Sequence, residues 1–199
     1  MATSKDRKSI RMEDIYELEE NINDPSWYAS AEEYGYTATQ MHKIMRGEEL
    51  PSSEDPFRAK LVDRETETRD FLQASDVIIV SDRVINLFLR EKVSGWKTFP
   101  ARLQSSSVLF TGAVHGLAIV GRTGPEDEER GVRRWREYNG VRIPVSRKGL
   151  YFDMTKWDGS DLFMAERGLR ILAVPRVIRL LEANNITGWC ARPVLDIEF

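Results

Sequence analysis

"VSDRVINLFLREKVSGWKTFPARL" runs from Val80 to Leu103, and "AVPRVIRLLEANNITGWCARPVLD" runs from Ala173 to Asp196. The second stretch repeats the first at a constant offset of 93 residues, without a gap. Arg83, Val84, Ile85, Leu87, Gly95, Trp96 and Pro100 recur as Arg176, Val177, Ile178, Leu180, Gly188, Trp189 and Pro193. Identities this dense in one register are the signature of an internal repeat. Two copies are too few for a solenoid, so a pseudo-symmetric domain or two similar halves is expected.

Each copy reads as strand, helix, strand. The β-branched runs Val77–Val80 and Ile171–Val174 open the two units as short strands. Ser81 stands where a helix cap belongs, with Asp82 complementing the helix dipole in the first turn. The second copy has Pro175 instead of Asp82, which suits the first helical position. Val84, Ile85, Leu87 and Phe88, and then Val177, Ile178, Leu180 and Leu181, have the spacing of a buried helical stripe. Gly95 and Gly188 lie in the connection to the next strand, which Trp96 and Trp189 open. Both tryptophans are expected to pack in the core.

Outward from the repeat the pattern weakens. Val108–Phe110 and Gly116–Val120 read as strands of a hairpin around "TGAVH". Gly121–Gly131, "GRTGPEDEERG", is a charged loop and the best internal break. Val141–Val145 and Leu150–Asp153 read as short strands, residues 45–70 as loop with one short helix, and residues 1–10 as frayed. The expected fold class is α+β. Two pseudo-repeated strand–helix–strand units, at about 76–103 and 169–197, lie around a mixed or antiparallel sheet, with an irregular acidic N-terminal region. Residues 1–70, 71–125 and 126–199 are then an acidic region, a first half and a second half of one unit.

The chain has 199 residues, 41% of them hydrophobic, enough for a real core. Its formal charge of −3 argues against a nucleic-acid binder, which carries a basic footprint. Cys190 is the single cysteine, so no internal disulfide can form, as suits a reducing compartment. No apolar run is long enough to span a membrane, and the N-terminus lacks a signal-peptide core, so a cytoplasmic location is expected. Charge is uneven: residues 1–70 hold 10 Lys/Arg against 17 Asp/Glu. Acids interleaved with aromatics can form a face for a basic partner, because aromatics anchor and charges steer. The same pattern fits a solvated face. The residues singled out as such a face are Glu17, Glu19, Glu20, Asp24, Trp27, Tyr28, Glu32 and Glu33.

No phosphate-binding glycine motif is present, and no HExxH, GxSxG or CxxC occurs. His42 and His115 stand alone in sequence, and Cys190 reads as a buried, inert thiol. Trp157, Asp158, Gly159, Ser160 and Asp161 spell "WDGSD", a tight polar turn beside an aromatic ring. Two aspartates there are too few for a calcium loop. No metal or cofactor is expected.

The order "LYFDMTKWDGSDLF", a strand, then "VPRVIRLLEANNITGWCARPV" resembles the bacterial double-CxxCG family of polymorphic-toxin immunity proteins. "DFLQASDVIIVSDRV" and "GLAIVGRTGPEDEERG" agree with it, so the resemblance covers most of residues 25–199. The two motifs that name the family are degenerate. "AEEYG" (Ala31–Gly35) and "REYNG" (Arg136–Gly140) keep the glycine and have lost both cysteines, so no thiolate metal site carries over. The resemblance implies an immunity protein that binds a cognate protein toxin and neutralises it by stoichiometric occlusion. It implies a partner that is neither nucleic acid nor membrane. In that setting WDGSD is a structural corner or a grip on the partner; as a corner it has Trp157 packed on the second helix, Asp158 and Gly159 making the turn, and Ser160 or Asp161 holding backbone N–H groups. Two alternatives stand beside it. One is a hydrolase-like enzyme using Asp153, Asp158 and Asp161 to reverse a toxin's modification. The other is a self-assembling scaffold, since repeated halves often pair as homodimers.

Overall fold

The computed structural model describes residues 10–20, 27–63, 69–104 and 113–199. These form a mixed α+β fold of three helices and twelve strands. Six strands close a barrel in the order β2-β3-β6-β7-β5-β4, four form a sheet in the order β10-β11-β1-β12, and β8 and β9 stand apart as a pair. In chain order they are β1 (Tyr16–Glu20), β2 (Trp27–Ser30), β3 (Phe57–Asp63), β4 (Phe71–Ala74), β5 (Val77–Ser81) and β6 (Trp96–Gln104). Then follow β7 (Val114–Ile119), β8 (Val132–Tyr138), β9 (Val141–Lys148), β10 (Leu162–Phe163), β11 (Ile171–Ala173) and β12 (Trp189–Pro193). The helices are α1 (Ala38–Met45), α2 (Asp82–Arg90) and α3 (Pro175–Ala183).

Both quoted stretches fold as strand, helix, strand: β5–α2–β6 in the barrel and β11–α3–β12 in the sheet. In the barrel β5 and β6 flank β7, and in the sheet β11 and β12 flank β1. The central strand runs antiparallel to both neighbours in each case. Val84, Leu87 and Phe88 on α2, and Val177, Ile178 and Leu181 on α3, are buried. Their spacing puts each set on one helical face, and burying that face is what stabilises helices as short as nine residues. Pro175 occupies the start of α3. Ser81 takes the N-cap position of α2 without capping it: its hydroxyl donates instead to Asp70, at 2.6 Å.

The described residues among the first 70 are more regular than their sequence pattern suggests. β1 lies at the centre of a sheet whose other strands all come from beyond residue 160. β2 and β3 are barrel strands, and α1 opens on a capping box between Thr37 and Gln40. The expected loop over 45–70 contains β3, in which Phe57, Ala59 and Leu61 are buried while Arg58 and Lys60 face solvent. That alternation is a strand's period of two. Leu150–Asp153 forms no strand beyond a single bridge of Phe152 to Glu126. The readings at 1–9 and Val108–Phe110 lie outside the described residues. The core is continuous between barrel and sheet, running from Phe57, Leu72, Ile79 and Leu117 to Leu162, Phe163 and Leu172.

Candidate functional site

The WDGSD turn is a corner that ties the second unit to the first. Gly159 has φ +82°, the left-handed conformation that glycine adopts without strain. Asp158 accepts from the Ser160 amide at 2.9 Å, and from the Arg122 amide at 2.8 Å. The Trp157 indole N–H donates to the Ser160 carbonyl at 3.2 Å. The ring meets Phe163 of β10, with centroids 5.6 Å apart. Asp161 is 4% exposed and accepts from the Ser94 amide at 2.9 Å, the Ser94 hydroxyl at 3.0 Å and Arg176 Nη1 at 3.2 Å. Arg176 Nη2 also donates to the Glu91 carbonyl at the end of α2.

A second aspartate repeats this chemistry in the opposite sense. Asp70, also 4% exposed, accepts from the Thr187 amide at 3.1 Å and from Arg83 Nη1 at 2.8 Å. Arg83 Nη2 reaches the Asn184 carbonyl at the end of α3, at 3.0 Å. Each helix therefore has terminal carbonyls satisfied by the arginine from the start of the other.

The described residues expected to form an acidic face lie on three elements, β1, β2 and the 3-10 turn over Glu32–Tyr34. Glu17 is 4% exposed in β1 and is ion-paired with Arg170, so it is an interior residue and not part of any outer surface. Glu19 pairs with Arg192 at 2.6 Å. Burial pushes the Glu20 carboxyl above its usual range. Glu32 and Glu33 are exposed on a 3-10 turn, where Glu33 meets Lys60 of β3 at 3.0 Å. Trp27 and Tyr28 open β2, and Asp24 lies outside the described residues.

A broad cleft of about 1270 Å³ takes in Asp153 and neither Asp158 nor Asp161. Two hydrogen bonds from Thr155 hold the Asp153 carboxyl below its usual range. The histidines are not alone in space: His115 Nε2 lies 2.7 Å from Asp82 and His42 Nε2 lies 3.3 Å from Asp76. Among the described residues no group of three or more His, Cys, Asp or Glu could hold a metal. No described helix is long and apolar enough to cross a membrane.

Cys190 on β12 is half-buried beside Glu19, and its Sγ lies 3.5 Å from the Glu20 carbonyl. Burial, and then the Glu19 charge, push its thiol up to about 11. The thiolate is the reactive form, so the folded protein should label with a thiol reagent at neutral pH far more slowly than the urea-unfolded chain. A thiol held above its unfolded value stabilises the fold fully below that value, about 8.5. This contribution is lost as pH rises through about 11. The loss should be no more than about 1–2 kcal/mol after discounting for solvent screening, read from urea midpoints across that window.

Two surfaces remain, and they adjoin. The large cleft is lined by seven carboxylates: the run Glu126–Glu129, with Glu13, Asp153 and Glu166. Three arginines, Arg11, Arg130 and Arg167, face them. From Arg130 the chain runs directly into the β8–β9 hairpin. Asn139 at φ +50° and Gly140 at φ +76° form its tip, the Asn-Gly turn whose twist matches paired strands. "REYNG" is thus a strand end and a turn. Both strands are exposed over nearly their whole length. Val132, Trp135, Tyr138, Val141, Ile143 and Val145 all stand on them, six of the nine large exposed apolar residues among the described residues. Five arginines and a lysine accompany one acid, Glu137. The C-terminus holds the hairpin's root through Arg147 and Phe199, which exchange backbone hydrogen bonds of 3.2 and 2.9 Å, and through the Lys148–Asp196 pair at 2.8 Å. An isolated two-stranded ribbon is marginal in water, so this root anchors an arm whose outer part has little other support.

Comparison with known proteins finds no family model that matches the chain and no curated protein that matches it significantly.

Proposed function

We propose that this is a cytoplasmic immunity protein that binds a cognate toxin domain and neutralises it by stoichiometric occlusion, without turnover. The observation that carries the reading is the β8–β9 arm, which gathers most of the large exposed apolar side chains among the described residues on one separate two-stranded element. Apolar surface concentrated in this way marks a protein-binding site, and tryptophan, tyrosine and arginine are the residue types that dominate binding energy. Trp135 and Tyr138 are the natural anchors, with Arg142 lying 5.6 Å over the Trp135 ring. The dispersal of Asp153, Asp158 and Asp161 into separate structural roles weighs against the hydrolase alternative.

The test is co-expression and pull-down with the product of the adjacent upstream gene. The expected result is a stable equimolar complex and rescue of the growth defect that this gene causes. Trp135→Ala combined with Tyr138→Ala should weaken the complex at least about 30-fold, the effect of one hot spot of about 2 kcal/mol. Folding should be unchanged, since Trp135 is 45% exposed and Tyr138 65%. Absence of a complex with any such product would remove the reading.

We further infer that the two strand–helix–strand units are a pseudo-repeat within one α+β fold. Support comes from the matching strand orders β4-β5-β7-β6 and β10-β11-β1-β12, and from the mirrored pairing of Arg83 with Asp70 and Arg176 with Asp161.

A further inference from the structure

We propose that the free protein is a two-fold dimer in which the β8–β9 arm of each copy lies in the acidic cleft of the other. The argument begins with what the arm cannot pair with. Packing arm on arm would set five arginines and a lysine against the same six, a like-charge contact that costs several kcal/mol. The complementary surface is on the same molecule. Glu126–Glu129 line a broad open cleft that ends at Arg130, two residues before β8 begins. Arg133 and Arg136 have no carboxylate partner among the described residues, while the ion pairs of Arg134 and Lys148 go to the C-terminal segment and not to the cleft.

Two contiguous patches of opposite charge on one surface are what a two-fold interface uses. Rotation brings each patch onto the other, so the arm-in-cleft contact is made twice. The scale is sufficient. Fifteen strand residues in the arm and sixteen lining the cleft are available on each copy, against the roughly 20–30 residues a side of a stable interface. Dimerisation covers apolar side chains that would otherwise face water, and cationic side chains meet carboxylates in the same step.

The inference does not require a toxin, and its test uses the full-length protein alone. Light scattering and sedimentation should give a concentration-dependent dimer that weakens at least about tenfold between low and high salt, as screening of exposed charges demands. Arg133→Glu with Arg136→Glu should be monomeric, and so should Glu128→Arg with Glu129→Arg. Mixed in equal amounts, these two variants should form a heterodimer, because the unaltered basic arm of the second then meets the unaltered acidic cleft of the first. All four positions are exposed, so circular dichroism and the melting temperature of each variant should match the unsubstituted protein. A monomer at every concentration would overturn the proposal. So would a dimer that charge reversal leaves intact, or a mixture that stays monomeric. A monomer whose arm captures a labelled single-stranded oligonucleotide would assign the arm to nucleic acid instead.

Discussion

Replacing Gly95 with alanine should cost at least about 4 kcal/mol, placing it among the exceptional single substitutions. Gly95 has φ +91°, where an L side chain is strained whatever space surrounds it. Here there is no space. An added Cβ would lie 1.9 Å from the Leu162 carbonyl oxygen and 2.7 Å from the Ser160 Cβ. The first of these is backbone, at the start of β10, and cannot rotate away. The Gly95 carbonyl also accepts from the Val120 and Gly121 amides, so a shift here disturbs the end of β7 as well. Gly159→Ala is the control. Its φ is also positive, at +82°, but nothing lies within 4 Å of the added carbon. That substitution should cost only the backbone term, about 1–2 kcal/mol. Urea unfolding of both variants measures the difference. Equal losses would mean that the close approach of Gly95 to β10 is not what the position requires.

Asp161→Ala should be the second most damaging change, at about 3 kcal/mol. It removes the acceptor of the Ser94 amide and hydroxyl and leaves Arg176 facing the end of α2 without its carboxylate. Stripping one partner from a buried ion pair usually costs 3–5 kcal/mol; the partial exposure of Arg176 places this case at about the lower bound. In a chain of this length that is a fall of about 6–12 °C in melting temperature. Asp161→Asn keeps an acceptor oxygen and should lose about half as much. Were Asp161→Ala to melt with the unsubstituted protein, the WDGSD corner would not be a tie between the two units.

The strand–helix–strand stretches were legible because their signal is local. Val84, Leu87 and Phe88 repeat with a helix's period, and glycine and tryptophan mark where the chain turns and extends. The ties between the stretches were not legible. Asp70 and Asp161 are polar, carry no periodicity, and meet partners 117 and 67 residues away at Thr187 and Ser94. The same distance in sequence hid the role of Glu17. An acid among acids and aromatics reads as surface, until Arg170 is brought against it from 153 residues away. β3 was missed although its alternation was present, because Pro51, Pro56 and scattered charge around it weakened the pattern. The arm also had a local signal, Asn139-Gly140 between two alternating runs. Its exposure had none: Val132, Tyr138 and Ile143 look like any strand's inward face until no second layer is found to cover them.

The crossed arginines have a consequence for how the gene can be divided. The loop from Pro125 to Gly131 looks like a seam, and a cut there would part the two stretches cleanly in sequence. It would not part them in substance. The first piece would keep Arg83 and Asp70 but lose Thr187 and Asn184, and the second would keep Arg176 and Asp161 but lose Ser94 and Glu91. The second would also lose the middle strand of its own sheet, which the first piece carries. A nicked molecule still has every one of these contacts, while a truncated one has bare helix ends and an open sheet. Interruption at this loop should therefore be tolerated where shortening is not.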